Sequence, residues 1–411
     1  MIYWRRCLLF LFVAALFFRG KMIYVALYTL AIVFFASRYA LRKAFQSLKA
    51  RRRLSESRVF IGEETEVELE LDNPTRLPLV WVMATEELPP ELMAGKPKQG
   101  VLSLGPRRRA AWRYTVIGRA RGVHPLGPVQ LEAGDPFGLE IVQGRMDLVD
   151  HLVVYPKIRP LADLGLPSRL PFGEVRTARR FFEDPARTIG ARPYTPGDSF
   201  NRIHWKLSAK ANAIYVKEYQ PTIALETAIV LNLREDEYDV HLIEFYSELA
   251  IEVAASVAYY LSTQRQNVAL ITNGVDPLAV AEAPAASRGY ISIPAHKGAG
   301  HLMRLLELLA KIRLGAGAPS VSMLIDAASR LPWGATVVVI TPSDPPELID
   351  ALLKLQQAGY NVAGIVVGRV QHETFLHRSP QSGFVLYQVR SETDLDGLAR
   401  RRPSPMRRAS A

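Results

Sequence analysis

Two uninterrupted apolar runs open the chain, residues 7–18 and 22–36, parted only by Arg19-Gly20-Lys21. Each is shorter than the roughly 20 helical residues that a bilayer core requires. Tyr3, Trp4, Tyr39 and Leu41 extend the runs, while Arg5, Arg6 and Arg38 can reach the headgroups. One continuous helix would hold Arg19 and Lys21 near mid-membrane at about 2.5–3.5 kcal/mol each. A transmembrane helical hairpin over 1–42 avoids that cost and is the predicted arrangement. A cleaved signal peptide fits less well, because Phe17-Phe18-Arg19-Gly20 offers no small-x-small site.

Beyond a basic juxtamembrane linker at 43–57, the period changes to two. Val67, Leu69 and Leu71 alternate with Glu66, Glu68 and Glu70 before Asp72-Asn73-Pro74, and Trp112, Tyr114 and Val116 alternate before Gly118. Short alternating strands with turn residues between them predict an immunoglobulin-like β-sandwich over 58–156. Residues 157–188 are rich in Pro and Arg without sustained periodicity, which reads as a connector. From 221 to 395 the pattern is α/β. Apolar runs at 227–233, 268–272, 336–341 and 362–367 alternate with helical spacing, first from Asp239 as N-cap, then over 301–312, 321–330 and 346–358. Such alternation predicts a Rossmann-like parallel sheet with helices on both faces.

Composition changes the picture only when it is mapped. The net charge of +11 resides at the ends: residues 1–58 hold 12 Lys and Arg against Glu56, and the tail 396–411 is arginine-rich. The body 59–399 has 34 basic against 39 acidic residues. That balance argues against nucleic acid as a partner and suits an anionic bilayer. The positive-inside rule places both ends and the soluble domains in the cytoplasm of a multi-pass plasma-membrane protein. Arg51-Arg52-Arg53 reads either as solvated linker or as a lipid contact. The single cysteine, Cys7, leaves no disulfide framework and no cysteine metal site.

Candidate chemistry concentrates at 189–220. Thr195-Pro196-Gly197-Asp198 fits a type II turn, and Asp198 or Ser199 can cap a helix of about ten residues. On it Phe200, Ile203 and Leu207 form a packing face, while Arg202, Lys206 and Lys210 form a basic stripe. The stripe could receive phosphate or an acidic partner, or pair with acids of a neighbouring domain, with Trp205 packed between domains. Asp198, His204 and Ser208 are the raw materials of a hydrolytic triad, but no oxyanion hole accompanies them. Strand ends in open α/β sheets are the other place to look. Asn232-Leu233-Arg234-Glu235-Asp236 and Thr341-Pro342-Ser343-Asp344 supply oxygen ligands there, beside the repelling charge of Arg234.

The run Gly190-x-Arg192-x-Tyr194-x-Pro196-Gly197-Asp198, followed by Arg202-Ile203-x-Trp205-Lys206 and Ala209-Lys210, resembles the signature of the bacterial domain-of-unknown-function family fifty-eight. Asp135-Pro136-Phe137-Gly138-Leu139 agrees with it. The resemblance implies a von Willebrand factor type A-like α/β domain and a membrane-anchored protein working with a MoxR-type AAA+ ATPase on envelope-associated proteins. Metal-binding type A domains carry Asp-x-Ser-x-Ser after the first strand, where Asn232, Arg234 and Asp236 stand here, so a metal site is not expected. Together these readings predict a cytoplasm-facing adaptor without cofactor, metal or catalysis of its own. A hydrolase using His204 and Ser208, or a metal-dependent adhesion-type protein, are the alternatives.

Overall fold

The computed structural model describes residues 21–93, 97–136, 138, 140–161, 183–195, 200, 203–211, 213–221, 226–282, 289–332, 334–368 and 385–398. The chain divides into two compact units, 1–157 with 306–312, and the remainder.

The first unit begins with α1 (Lys21–Gln46). Among the described residues it alone is long and apolar enough to cross a membrane, over Tyr24–Gln46. The expected first arm of the hairpin lies outside the described residues. The second arm does not stop at 42 as predicted. Leu41, Ala44 and Leu48 form a buried stripe that carries the helix end into the β-region, while Arg42 and Lys43 remain exposed. The stretch expected as a linker, 43–57, is therefore helix end and first strand.

Among the described residues ten strands follow: β1 (Lys49–Leu54), β2 (Arg58–Phe60), β3 (Glu64–Asp72), β4 (Leu79–Glu86), β5 (Gln99–Leu104), β6 (Arg109–Ile117), β7 (Gly122–Leu126), β8 (Val129–Gly134), β9 (Ile141–Met146) and β10 (Asp150–Tyr155). They form three sheets, β1-β3-β6, β2-β10-β7 and β5-β4-β8-β9. The buried face of β3 serves two cores, one at each end of its length. Leu69 and Leu71 pack with Leu79, Val82, Leu131 and the end of α1, whereas Val67 packs with Val116, Leu126 and Leu152. The region is sandwich-like, as the period-two pattern predicts, but is built from three sheets.

Between these cores lies a buried ion pair. Arg52, from the predicted linker, points inward with its side chain fully covered, as is that of Glu86. Its Nη2 donates to Glu86 Oε2 at 2.8 Å, and its Nη1 donates to Leu126 O at 2.8 Å and Asp150 Oδ2 at 2.9 Å. Burial opposes the guanidinium charge, but Glu86 and Asp150 outweigh it and hold the Arg52 pKa above the ordinary value.

In the second unit, β11 (Glu183–Pro193) and β12 (Tyr215–Pro221) pair as an antiparallel ribbon, with the short helix α2 (Trp205–Ala211) between them in sequence. The elements that follow along the chain are β13 (Glu226–Leu231), α3 (Ile243–Thr263), β14 (Asn267–Thr272), α4 (Pro277–Glu282), β15 (Ile291–His296), α5 (Ala299–Lys311, of which 306–311 count with the first unit), α6 (Ser320–Ser329), β16 (Thr336–Thr341), α7 (Pro346–Gln357), β17 (Asn361–Val367), β18 (Val385–Val389) and α8 (Glu392–Leu398). The sheet order is β15-β14-β13-β16-β17-β18, parallel throughout except for β15. Val230, Val337, Val339 and Val366 bury one face against Met323, Leu324, Leu348 and Leu352 of α6 and α7. The intervening Ile229, Val338 and Ile340 are buried too, which is why these strands read as continuous apolar runs. Asp239 does not cap α3. Its Oδ1 accepts the His241 N–H in a turn, and the helix begins at Ile243.

Candidate functional site

The signature motif forms an arm in which α2 is pinned back onto the ribbon. Ile203, only 4% exposed, bridges buried Val216, and the His204 N–H donates to Tyr215 O at 2.8 Å. The His204 ring then turns onto its own helix, where Nδ1 accepts the Leu207 N–H at 3.2 Å. Ser208 Oγ accepts the Tyr215 N–H at 2.9 Å. Both residues thus have backbone partners of their own, and the two hold the arm together. The helix is shorter than predicted because it begins at Trp205, with His204 in the capping role assigned to Asp198 or Ser199. Pro196, Gly197, Asp198 and Arg202 lie outside the described residues.

Arg192 is the second-last residue of the first strand of the arm, and its Nη1 donates to Thr195 Oγ1 at 3.1 Å. The Tyr194 N–H donates to Ile214 O at 2.9 Å, and its ring stacks on Phe200 with centroids 6.2 Å apart. Of the expected packing face, Ile203 is buried but Phe200 is not. Phe200 is 72% exposed and Trp205 70% exposed, so neither is a core residue of its unit. Lys206 and Lys210, four residues apart on α2, are exposed and form no ion pair among the described residues. Lone apolar residues on a surface are ordinary, but two large aromatics beside two unpaired lysines on a seven-residue helix resemble an interface anchor with a charged rim.

Removing the His204 ring takes the side-chain acceptor from the Leu207 N–H, which keeps only His204 O at 3.0 Å. His204→Ala is expected to destabilise the arm by about 1 kcal/mol, and His204→Asn, whose side chain also accepts from a helix N–H, to retain most of that stability. Amide hydrogen exchange at Leu207 checks both. Equal exchange in the two variants would mean that the ring does not cap the helix.

The strand ends of the α/β sheet form a second constellation. Asn232 follows β13, Asn273 follows β14, and Thr341 ends β16. Asn232 Nδ2 donates to Glu237 Oε2 at 2.7 Å and weakly to Thr341 Oγ1 at 3.4 Å. Its Oδ1 accepts from Asn273 Nδ2 at 2.8 Å and from the Arg234 N–H at 3.2 Å. Asn273 Oδ1 in turn accepts the Leu233 N–H at 2.6 Å, and the Tyr238 hydroxyl donates to Asn232 O at 2.7 Å. Burial pushes the Tyr238 phenol far above its ordinary range, keeping it a donor. Arg234 pairs with Asp236 through Nε at 2.5 Å and Nη2 at 2.7 Å, a contact that draws the Asp236 carboxyl below its usual value. Asp344 is buried and partnered.

Of the three positions that stand where the type A metal pattern would, then, Asn232 is a hub of hydrogen bonds, and Arg234 and Asp236 neutralise each other. Among the described residues there is no group of three or more His, Cys, Asp or Glu able to hold a metal ion. Glu237, Tyr238 and Asn273 belong to this network without having been singled out in the sequence. Asn273-Gly274 directly after an apolar run was the available signal.

Residues 190–344 match the family described as "Protein of unknown function DUF58". The uncharacterized protein YeaD of Bacillus subtilis is 25% identical over 230 residues, 53% of this chain and 57% of that one. The chain thus spans little more than half the length of that relative. Among solved structures, a von Willebrand factor type A protein from Catenulispora acidiphila is 10% identical, covering 45% of this chain and 42% of that one at a TM-score of 0.30. The CARDB domain of a Pyrococcus furiosus protein is 14% identical, covering 26% of this chain and 91% of that one at a TM-score of 0.20.

Proposed function

We propose that this chain is a membrane-anchored adaptor with its soluble domains in the cytoplasm and no catalysis of its own. In this reading the hairpin holds it in the membrane, the β-region acts as a spacer, and the type A-like domain presents the arm to an acidic partner. The observation that carries the reading is the exposure of Phe200 and Trp205 beside the unpaired Lys206 and Lys210. An aromatic anchor with a basic rim suits a partner surface offering a shallow apolar pocket edged by carboxylates. The resemblance of the motif to family fifty-eight makes a MoxR-type AAA+ ATPase the partner class to test.

The experiment is binding of the full chain in detergent to a purified MoxR-type ATPase held with a non-hydrolysable ATP analogue. Trp205→Ala is expected to weaken binding by about 2 kcal/mol or more, as truncation of an interface anchor does. Lys206→Glu with Lys210→Glu should slow association and remove much of its salt dependence. Folded variants that bind as the unaltered chain does would exclude the arm as the partner surface.

A further inference from the structure

The strand registers place one end of the β-region beside the end of α1. Lys49, Asp72 and Arg109 are aligned across β1, β3 and β6, Leu79 pairs Leu104, and Gly134 pairs Ile141. The loops 73–78, 105–108 and 135–140 therefore share the end at which α1 enters. That end is fastened to the helix. Arg42 Nη2 donates to buried Glu140 Oε1 at 2.8 Å, Arg38 Nε lies 3.3 Å from Glu140 Oε2, and Ser37 Oγ donates to Asp135 Oδ2 at 3.1 Å. No linker intervenes, so the depth of the helix sets the height of the loops.

Two features of this end point to a ligand. The first is a cleft of about 370 Å³, lined by Val33, Ala36, Ala40 and Leu41 of α1 and by Pro78 and Val80 of the loop and strand beside it. Asp135 also lines it, but its carboxylate is occupied by Ser37 and by the Glu140 N–H at 2.8 Å. The second is charge: Arg76, Arg107 and Arg108 on the two neighbouring loops are exposed and form no ion pair among the described residues. The apolar run 22–36 rises only about 22 Å as helix, against a hydrocarbon core of about 30 Å, so the leaflet must reach past Ser37 to the mouth of the cleft.

We propose that this end binds an anionic glycerophospholipid of the facing leaflet, one acyl chain lying in the cleft and the phosphate among Arg76, Arg107 and Arg108. The occupant follows from the continuity of the cleft wall with α1, which is long and apolar enough to cross a membrane, and from the unpaired arginines on the neighbouring loops. The inference rests on reading α1 as a membrane span.

The full chain is reconstituted in vesicles of phosphatidylcholine with phosphatidylglycerol, re-extracted in mild detergent, and its retained lipid measured by native mass spectrometry. Phosphatidylglycerol is expected to be enriched over phosphatidylcholine by about tenfold or more, with Arg76→Glu, Arg107→Glu and Arg108→Glu together abolishing the enrichment. Ala40→Phe, which fills the cleft and leaves the charge alone, should lose retained lipid of both kinds. Equal retention of the two lipids by the unaltered chain overturns the proposal, as does enrichment that survives the triple substitution. Displacement of the lipid by free glycerol phosphate as readily as by whole phospholipid would remove the acyl chain from the site and overturn it too. Alkaline carbonate extraction separates the premise: release of the full chain from vesicles would sink the membrane reading itself, whatever lipid is retained.

Discussion

Arg52→Met is expected to destabilise the β-region by about 3–5 kcal/mol, the range for stripping one partner from a buried ion pair. The Arg52 and Glu86 side chains are both fully covered, so the remaining carboxylate has no water to turn to. Leu126 O and Leu148 O lose their donors as well, at 2.8 and 3.1 Å. Asp150, 38% exposed, is rehydrated at little cost. Burial already pushes the Glu86 carboxyl upward, with Arg52 the chief opposing influence, so the single variant should take up a proton there in place of the lost cation. Pairing Arg52→Met with Glu86→Leu removes both charges and should recover stability relative to the single variant, since a buried pair often does no better than an apolar one of similar volume. Urea unfolding followed by tryptophan fluorescence, with Trp81 and Trp112 in this region, measures both. A double variant less stable than the single one would mean that the pair is indispensable in itself.

That pair also marks where local pattern stops being informative. Lys49-Ala50-Arg51-Arg52-Arg53-Leu54 has the charge density of a solvated linker, and nothing within it says that the middle arginine faces inward. The reason lies elsewhere in the chain, at Glu86 and Asp150, joined to it by hydrogen bonds between residues far apart in sequence. The same holds for α1. A hairpin over 1–42 followed by a linker leaves no reason for helix beyond 42, yet the helix continues because Leu41, Ala44 and Leu48 find a core supplied by β3, β4 and β8.

Elements whose reason is local were legible. β3 announced itself through alternation, and β13, β14, β16 and β17 through apolar runs that need both faces covered. β15 escaped because Ile291-Ser292-Ile293-Pro294-Ala295-His296 alternates and contains a proline, as an edge strand can. Within the arm, residue types were recognised but their roles were not. His204 and Ser208 share a helix face, which suggests a pair; in the folded chain each instead has its own backbone partner. Phe200 had the spacing of a packing residue, and spacing alone does not say whether a partner surface lies opposite within the same unit.

The strand-end network carries the other large effect. Asn232→Asp would restore the carboxylate that metal-binding type A domains place there, at nearly unchanged size, and is nevertheless expected to cost about 3 kcal/mol or more. An amide can donate and accept at once, and Asn232 does both. Its Nδ2 serves Glu237 Oε2 at 2.7 Å and its Oδ1 serves Asn273 Nδ2 at 2.8 Å. An ionised aspartate keeps the acceptor, loses the donor, and faces Glu237 with a second negative charge at hydrogen-bond distance. Arg234 offers no relief while it is engaged with Asp236. Two carboxylates so placed cannot both ionise cheaply, so the folded variant should carry one carboxyl with a raised pKa. A group whose folded pKa is raised stabilises below its unfolded pKa, and that contribution is lost as pH rises through the folded value. The variant should therefore lie closest to the unaltered chain at about pH 4 and fall progressively below it toward about pH 7.5. Thermal unfolding of both across that range decides the matter, because a deficit independent of pH would trace the loss to geometry instead of charge.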